Sequence, residues 1–391
     1  GKDTRISGYM FESALQAGFI SAGMDVTLLG PLPTPGVSYL ANSNNQVGLV
    51  ISASHNLFED NGIKFFNKDG QKFSSELEKR IETKLTQEMI GVESINLGKA
   101  ARMSDAQGRY IEFCKSSFTD LDLNGLSILL DCANGATYSV APKVFSELGA
   151  NVETIGASPD GININQNCGS TSPNALKEAI IKGSYDIGIA FDGDGDRILI
   201  VTSDGDILDG DDILYILSKE IPANSGVVGT LMTNKALELY FQNKGIEFSR
   251  ADVGDKYVLQ RLIERSWVLG GEPSGHIICL DSAPTGDAIV AALKFLNATK
   301  DKGFSVEKSL EGFKKFPQTL INLKVNNPNK IIISDKFWEK VTEIELQLGE
   351  DGRVLIRPSG TEPLIRIMVE SKDSGISENL CNSLADLAQR I

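Results

Sequence analysis

The amino-acid sequence predicts an α/β protein with three similar α/β layered domains around a cleft and a smaller C-terminal α+β domain. Its 391 residues are more than one hydrophobic core organises. A strand–loop–helix–glycine–strand unit recurs three times, which is typical of layered α/β domains. The last part of the chain follows a different pattern. We expect domains at residues 1–105, 106–206, 207–318 and 319–391.

The repeated unit occurs at residues 5–29, 126–155 and 226–250. In each copy, a helix with small and apolar residues on one side leads to a glycine and then to an apolar strand. A glycine suits the left-handed backbone conformation that ends many helices, because a side chain disfavours that conformation. The three glycines are Gly23, Gly149 and Gly245.

The C-terminal pattern alternates strands and helices differently. We expect strands at residues 316–325, 353–357 and 364–370, and helices at residues 334–348 and 377–391. The segment at residues 326–329 is rich in proline and asparagine. The small α+β domain is expected to follow that segment.

Composition excludes several classes of protein. The hydrophobic fraction of 41% and the charged fraction of 23% are those of an ordinary globular protein. A net charge of −14 argues against binding of nucleic acid or anionic membranes, which needs clustered Lys and Arg. No apolar run reaches the length of a membrane span, and no signal peptide is recognisable. The five cysteines are odd in number and widely spaced, so we expect reduced thiols and a cytoplasmic protein.

A strand that leads into a hydroxyl-rich loop is the first candidate for chemistry. The apolar run at residues 47–51 is followed by Ser-Ala-Ser-His-Asn at residues 52–56. An Asn-Gly turn at residues 61–62 then starts a second apolar strand, at residues 63–66. A hydroxyl held at the end of a strand is placed to act as a nucleophile or a phosphate carrier.

The second candidate is the loop Asp-Gly-Asp-Gly-Asp-Arg at residues 192–197. Its carboxylates can turn inward together around one hard cation. An EF-hand begins similarly but needs glycine at the sixth position and glutamate at the twelfth, where this chain has Arg197 and Ser203. An acidic surface turn is the simpler alternative, although uncompensated aspartates repel one another. We expect Asp192, Asp194 and Asp196 to bind Mg²⁺, which prefers oxygen ligands and tolerates a phosphate.

A third loop, at residues 271–276, reads Gly-Glu-Pro-Ser-Gly-His. It offers a carboxylate, a hydroxyl and an imidazole between glycines. Sugar hydroxyls are well held by such a set, because a carboxylate accepts two hydrogen bonds. A plain polar turn explains the same residues equally well.

The fourth loop joins two guanidinium groups to hydroxyls and a glycine. It contains Arg357, Ser359, Gly360 and Thr361, and Arg366 follows it. These side chains and the backbone N–H groups can form a cage for a phosphate dianion. A strand-to-strand turn is the alternative, but an acidic protein has little reason to gather two arginines there without an anion. Together the four loops indicate phosphoryl transfer on a phosphorylated sugar, with one phosphate held while another moves.

With these four motifs in this order, one in each expected domain, the chain resembles the α-D-phosphohexomutases over essentially its whole length. Further stretches at residues 30–35, 61–66 and 253–258 resemble the branch of that family that acts on glucosamine phosphates. The resemblance implies an isomerase that interconverts glucosamine 6-phosphate and glucosamine 1-phosphate on the route to UDP-N-acetylglucosamine.

The resemblance also implies a mechanism. Ser54, not Ser52, carries a phosphoryl group, and Mg²⁺ bridges it to the three aspartates. The sugar takes this group and becomes a 1,6-bisphosphate, which turns over in the cleft and returns its other phosphate to the serine. A sugar 1,6-bisphosphate is thus the implied intermediate and activator.

Individual roles are carried over in the same way. Lys64 and His276 are implied to transfer a proton or stabilise charge near the reacting hydroxyl, and Arg197 to neutralise the transferring group. The residues implied to bind substrate are Lys256, Glu272, Ser274, His276, Arg357, Ser359, Gly360, Thr361 and Arg366.

Two departures from the family pattern stand out. Lys256 replaces a more usual arginine, which keeps the charge but loses the bidentate geometry. The family also begins with a further segment that carries a Gly-Thr-Asp-Gly-Ile-Arg-Gly motif, so we expect the first domain to be N-terminally incomplete in this sequence.

Three other functions stay open at this point. A phosphomannomutase or phosphoglucomutase of the same fold shares the motifs that do the chemistry. A non-catalytic sugar-phosphate sensor would keep the fold without the reaction. A phosphatase would let water intercept the phosphoserine, which closure of the cleft should suppress. The sequence also leaves open whether the protein is a monomer or a homodimer.

Overall fold

The computed structural model of the chain describes residues 1–325, 327–358 and 363–391. The chain divides into two compact units, Gly1–Met232 with Glu247–Glu311 and Thr233–Ile246 with Gly312–Ile391. Within the described ranges, no helix combines the length and the apolar character that crossing a bilayer requires. The five cysteines are free and buried, in agreement with the expected reduced thiols.

The first unit opens with two small sheets. Its elements here are α1 (Ser7–Ser21), β1 (Val26–Leu28), α2 (Thr34–Ser43), β2 (Gly48–Ile51), β3 (Ile63–Phe66), α3 (Ser75–Leu85), β4 (Ala100–Arg102) and α4 (Ala106–Ser116). β1 pairs with β4 in parallel, and β2 with β3 in an antiparallel hairpin. The two strands predicted around the serine loop are therefore confirmed, and they place that loop at the end of the hairpin.

A five-stranded sheet follows. Its region contains β5 (Ser127–Asp131), α5 (Ala141–Glu147), β6 (Asn151–Ile155), α6 (Asn174–Lys182), β7 (Ile187–Phe191), β8 (Ile198–Thr202), β9 (Ile207–Leu208) and α7 (Gly210–Leu217). The strand order is β6-β5-β7-β8-β9, with β5 parallel to both neighbours and β7–β8 antiparallel. Every residue of β7 is buried, as its unbroken apolar run predicts. The aspartate loop thus connects the two antiparallel strands β7 and β8, of which the first is buried along its whole length.

The third region repeats the plan with a four-stranded sheet. It contains β10 (Val227–Thr230), α8 (Lys235–Lys244), β11 (Phe248–Ala251), α9 (Asp255–Arg265), β12 (Leu269–Gly271), β13 (Ile277–Cys279), α10 (Ala288–Thr299) and α11 (Val306–Leu310). The order is β11-β10-β12-β13, and β12–β13 form an antiparallel hairpin around the Glu-Pro-Ser-Gly-His loop. The glycines predicted to follow the repeated helices have φ values of 82° (Gly23), 102° (Gly149) and 69° (Gly245), which confirms their left-handed role.

The second unit has one antiparallel sheet. Its further elements are β14 (Gln318–Lys324), α12 (Pro328–Ile332), α13 (Asp335–Leu348), β15 (Gly352–Pro358), β16 (Leu364–Ser371) and α14 (Ser374–Gln389). β16 is central, between β14 and β15. The expectation that this domain follows residues 326–329 is wrong, because β14 precedes them and pairs with β16 along its whole length. Part of that segment is itself the start of α12.

A buried ion pair ties α8 into the second unit. Arg353 donates from Nε to Glu370 Oε2 at 2.8 Å and from a terminal nitrogen to Glu370 Oε1 at 3.1 Å. Glu370 is fully buried and also accepts the backbone N–H of Lys235, at the start of α8. A buried charge is tolerated only when it is paired in this way. The apolar core beside it joins β16 to α13 and α14 through Ile365, Ile367, Phe337, Ile344 and Leu384.

Candidate active site

The loop that carries Ser54 is held in a strained conformation. Ser54 has a φ of 51°, in the left-handed region. That conformation costs a serine about 1–3 kcal/mol and persists only where the surroundings enforce it. The Ser54 N–H donates to Ser52 Oγ at 3.0 Å, and the Ser52 hydroxyl donates to Asp3 Oδ2 at 2.6 Å. Ser52 therefore supports the loop, and Ser54 presents its hydroxyl.

Arg5 clamps the same loop from beneath. Its guanidinium is fully buried and donates to main-chain carbonyls of the loop. The acceptors are Ser54 O (3.1 Å), Asn56 O (2.8 Å), Leu57 O and Asp60 O (3.1 Å). Only an arginine offers this many donors in one rigid plane. Arg5 thus positions the serine without touching its hydroxyl.

Two further residues complete the clamp. Asp3 pairs with Arg5 Nε at 2.8 Å, and Asn165 Nδ2 donates to Ser54 O and Asn56 O at 2.9 Å each. Sequence reasoning missed all three supporting residues, Asp3, Arg5 and Asn165. Their partners are mostly main-chain atoms far along the chain, and no local motif marks such contacts.

The three aspartates of the second loop converge. One oxygen each from Asp192, Asp194 and Asp196 lies within 4.8 Å of the others, and all three residues are buried. Among the described residues, this is the group of acidic, histidine or cysteine side chains with the spacing of a metal site. Gly195 has a φ of 73°, which lets the short loop turn the carboxylates inward.

Ser54 joins this group. Its Oγ donates to Asp192 Oδ2 at 2.6 Å, although the two residues are 138 positions apart in the chain. The serine loop and the aspartate loop therefore meet at one point of the first unit. A hydroxyl in contact with a buried carboxylate cluster is placed for phosphoryl chemistry at a cation.

The aspartates fit a bound cation on electrostatic grounds. Within the described part of the chain, Asp194 Oδ1 and Asp196 Oδ1 are buried without a hydrogen-bond partner. Burial, reinforced by the charges of Asp196 and Asp194, raises the pKa of Asp192 well above its usual range. Unsatisfied carboxylate oxygens and mutual repulsion are both relieved by a divalent ion. An all-oxygen donor set suits a hard cation.

Lys64 and Thr34 face the same carboxylates. Lys64 Nζ lies 2.6 Å from Asp194 Oδ2 and 3.4 Å from Asp196 Oδ2. Burial disfavours the charged form of Lys64, but the two aspartates outweigh it and raise the pKa of the ammonium. Thr34 donates from Oγ1 to Asp194 Oδ2 and from its N–H to the Asp194 carbonyl (2.8 Å), a contact the sequence did not predict. Arg197 is more distant, with Nε 3.9 Å from Asp196 Oδ1.

The β12–β13 loop adds Glu272 and His276. Both are buried, whereas Ser274 between them is exposed. His276 Nδ1 lies 3.6 Å from Asp196 Oδ1, so this loop reaches the aspartate cluster. Glu272 Oε1 accepts the N–H of Gly254 at 2.9 Å. The hydroxyl-binding candidates therefore border the cluster that contains Ser54.

The neighbouring start of α9 carries Asp255 and the predicted substrate ligand Lys256. Lys256 directs Nζ to Ser75 Oγ at 3.1 Å, not to the aspartates or His276. Asp255, the residue before it, is the one that reaches inward. Its carboxylate forms an ion pair with Lys72 and lies 3.7 Å from His276 Nε2. Burial opposes ionisation of Asp255, but His276 and Lys72 prevail and lower its pKa.

In the second unit, the structure describes two of the predicted phosphate ligands. Arg357 on β15 and Arg366 on β16 are directly opposite each other in the antiparallel register. Directly opposed like charges are unfavourable in a sheet, and an anion between them would remove that cost. The predicted ligands Ser359, Gly360 and Thr361 lie outside the described residues.

Models of four domains of one family match the chain in order. They are described as phosphoglucomutase/phosphomannomutase, alpha/beta/alpha domain I (residues 1–90), domain II (residues 108–205), domain III (residues 209–316) and C-terminal domain (residues 320–387). The predicted three similar α/β domains and smaller C-terminal domain are thereby confirmed.

Relatives are similar over the same length. A protein named phosphoglucosamine mutase from Legionella pneumophila (strain Corby) is 51% identical over 401 residues, which cover 100% of this chain and 88% of the relative. One named phosphoglucosamine mutase 1 from Shewanella amazonensis is 52% identical over 392 residues, with 99% and 88% covered.

Solved structures share the fold. A phosphoglucomutase/phosphomannomutase family protein from Burkholderia thailandensis has a TM-score of 0.82 and 24% identity, over 99% of this chain and 88% of that one. N-acetylphosphoglucosamine mutase from Aspergillus fumigatus, solved with GlcNAc-6P and magnesium, has a TM-score of 0.70 and 18% identity, over 91% and 92%. With its four domains matched in order, the chain belongs to the phosphoglucomutase/phosphomannomutase family.

Proposed function

We propose that this protein is an isomerase that interconverts glucosamine 6-phosphate and glucosamine 1-phosphate through a phosphoserine and a sugar 1,6-bisphosphate, for UDP-N-acetylglucosamine synthesis. The observation that carries the proposal is the 2.6 Å contact of Ser54 Oγ with Asp192, inside a cluster of three buried aspartates. Full-length relatives at 51–52% identity that are named phosphoglucosamine mutase support the choice of sugar.

The reaction consists of two phosphoryl transfers in opposite directions. Phosphorylated Ser54 gives its phosphoryl group to the free hydroxyl of the sugar phosphate: the Oγ–P bond breaks, and a sugar O–P bond forms as the sugar hydroxyl loses its proton. The resulting 1,6-bisphosphate turns over and returns its other phosphoryl group to Ser54. The return transfer breaks a sugar O–P bond, re-forms the Ser54 Oγ–P bond and gives a proton back to the freed sugar oxygen, so the enzyme ends each cycle phosphorylated.

The aspartates and the Ser54 phosphate would hold Mg²⁺, which neutralises charge on the transferring group when bound. Lys64 adds a fixed ammonium beside Asp194 and Asp196. Its positive charge stabilises the negative charge that develops between the serine and sugar oxygens during the transfer. The strained, clamped serine loop keeps Oγ at the cluster through both transfers.

Substrate binding is shared between two separate sets of residues. Glu272 and Ser274 would accept and donate hydrogen bonds at the ring hydroxyls, with His276 beside them at Asp196 for proton transfer. Arg357 and Arg366, with Ser359, Gly360 and Thr361, would hold the phosphate that is not reacting. Because either phosphate of the bisphosphate must be accepted there, flexible guanidinium donors suit the role.

We further propose the domain limits 1–105, 106–206, 207–318 and 319–391, and a cytoplasmic location. The matched family segments support the four-domain division. The five free, buried cysteines support a reducing compartment.

Turnover of glucosamine 1-phosphate, glucose 1-phosphate and mannose 1-phosphate by the purified protein, with Mg²⁺ and a catalytic amount of glucose 1,6-bisphosphate, tests the proposal. We expect the highest kcat/KM with the amino sugar. A clear preference for glucose or mannose phosphate identifies a phosphoglucomutase or phosphomannomutase instead. Steady release of inorganic phosphate without isomer formation identifies a phosphatase.

Intact-mass measurement separates an enzyme from a sensor. After incubation with the bisphosphate, the chain should gain the mass of one phosphoryl group, and Ser54→Ala should not. Ser13→Ala, at an exposed serine of α1, is the control and should gain the same mass as the unmodified chain. A chain that never gains this mass and never forms an isomer is a non-catalytic binder.

A further inference from the structure

Asp255 is an acidic residue of the site that the four sequence motifs do not contain. It occupies the first turn of α9, directly after Gly254. Gly254 has a φ of 131°, a conformation that glycine adopts easily and that strains other residues. This turn brings the Asp255 carboxylate to Lys72 and to 3.7 Å from His276 Nε2. Asp255 therefore lies on the side of His276 opposite to the aspartate cluster, since Nδ1 faces Asp196.

The turn that carries Asp255 is fixed to the loop proposed to bind the sugar. The Gly254 N–H donates to Glu272 Oε1 at 2.9 Å. Because Asp255 directly follows Gly254, it lies next in the chain to a residue that is hydrogen-bonded to the proposed sugar ligand Glu272. Glu272 is almost completely buried, with 6% exposure, and one of its oxygens is already used by Gly254.

The Asp255 carboxylate already holds an alkylammonium group, that of Lys72. The side chains of Asp255 and Lys72 are 25% and 24% exposed, so a ligand can reach the pair. Hydrogen bonds between an ammonium and a carboxylate are about twice as strong as those between neutral groups. An amino sugar can form the stronger ammonium–carboxylate bond, whereas a sugar that carries only hydroxyl groups cannot.

We propose that Asp255 recognises the C2 ammonium of the substrate, in the place that the Lys72 ammonium occupies in the free protein. The inference rests on the proposed function, since it names the group that distinguishes glucosamine phosphates from glucose phosphates. Asp255 is then the specificity-determining residue, and the motifs for chemistry stay shared with relatives that act on other hexoses.

Asp255→Asn tests this, because it keeps the shape and removes the charge. We expect kcat/KM for glucosamine 6-phosphate to fall about 10- to 100-fold, while kcat/KM for glucose 6-phosphate changes less than 3-fold. Lys72→Met should lower KM for the amino sugar, because it removes the competing ammonium. The matched control is Asp281→Asn, which breaks the lysine–aspartate pair with Lys294 elsewhere in the first unit. It should leave kcat/KM unchanged for both substrates.

Binding gives a second, independent measurement. Calorimetry should show that the unmodified chain binds glucosamine 6-phosphate at least 10-fold more tightly than N-acetylglucosamine 6-phosphate, which is neutral at C2, and that Asp255→Asn removes this difference. An equal loss for amino and non-amino sugars in Asp255→Asn would mean that Asp255 only orients His276, and it overturns the inference. A wild-type chain that turns over glucose phosphate but not glucosamine phosphate overturns the proposed function, and the inference with it.

Discussion

The two units of this protein handle charge in opposite ways. In the first unit, Lys64 lies between Asp194 and Asp196 at 2.6 and 3.4 Å, and Arg5 is completely buried against carbonyls and Asp3. In the second unit, Arg357 and Arg366 face each other across two strands, and Arg366 is exposed. In the first unit these cations are held against anions, and in the second unit two cations lie side by side.

The difference teaches which site does the chemistry. Buried charges are tolerated only when their partners are in place, so the first site is already organised before a substrate arrives. Two arginines on neighbouring strands, Arg357 half-buried and Arg366 exposed, attract a phosphate dianion and dictate its position less strictly. This contrast suits a reaction in which one phosphate must react at a defined point and the other serves as a handle.

The largest expected effect comes from removing one anion of the buried cluster. Asp194→Asn keeps the size of the side chain but weakens both the cation site and the pairing with Lys64, so we expect kcat to fall about 100-fold or more. Steady-state turnover at several Mg²⁺ concentrations measures it. Asp204→Asn, at an exposed turn, is the control and should be neutral. Near wild-type turnover by Asp194→Asn would contradict the metal site.

The next effect tests whether the clamp on the serine loop matters by itself. Arg5→Lys keeps the charge but cannot reach the carbonyls of Ser54, Asn56, Leu57 and Asp60 together. We expect kcat to fall about 10- to 100-fold with KM nearly unchanged, because the hydroxyl is misplaced and the sugar sites are intact.

The rate of phosphorylation of the chain by a sugar bisphosphate, followed by mass, should fall with kcat in Arg5→Lys. Arg109→Lys, in an exposed helical ion pair with Asp105, is the matched control. An increase in KM alone would place Arg5 in substrate binding and not in support of the loop.

Removing an arginine that holds the non-reacting phosphate should weaken substrate binding. In Arg357→Ala, one charged hydrogen-bonding group to the non-reacting phosphate is lost, worth about 1.5–3 kcal/mol, so KM should rise about 10- to 100-fold with a much smaller change in kcat. Initial rates over a wide substrate range measure both constants, and Arg390→Ala, at an exposed residue directly after α14, is the control. A large fall in kcat at constant KM would show that this arginine acts on the transferring group.

The smallest expected effect on turnover concerns a buried carboxylate outside the site. Burial raises the pKa of Asp287 from 3.8 to about 6, although hydrogen bonds from Val290, Tyr110 and Ile289 oppose the shift. Between these two values the folded protein binds a proton that the unfolded chain does not, so the contribution of Asp287 to stability falls as the pH rises from about 4 to about 6.

Asp287→Asn cannot titrate and retains a helix-capping oxygen. The free energy of unfolding of wild type minus that of Asp287→Asn should therefore decrease by about 3 kcal/mol across this pH window. Urea unfolding of both proteins from pH 4 to pH 7 measures the difference. A constant difference would mean that Asp287 is ionised throughout.

Local patterns were sufficient for much of the fold and part of the site. The two strands around the Ser54 loop, the turn of alternating aspartates and glycines, and the glycines after the repeated helices depend on neighbours in the chain, and all were correctly predicted. The C-terminal sheet was harder, because residues of β14 and β16 that pair are forty or more positions apart in the chain. Its first strand was predicted at residues 316–325, but the antiparallel pairing of that strand with β16 was not.

The support of the site was decided by tertiary structure. Arg5 and Asn165 bind main-chain carbonyls of the Ser54 loop. Because every residue type has a main-chain carbonyl, no sequence pattern predicts these contacts. Similarly, the choice between Asp255 and Lys256 as the inward-facing residue depends on how α9 starts at Gly254 and on the position of Lys72.

The sequence by itself determined the chemical groups of this protein and the short turns that expose them, because residue type and local backbone preference act over a few positions. Only the tertiary structure decided which of those groups meet. The contact between Ser54 and Asp192 joins segments 138 residues apart. Such a distance is closed by the packing of whole sheets and helices, whose free energy is spread over many side chains and is not written in any one motif.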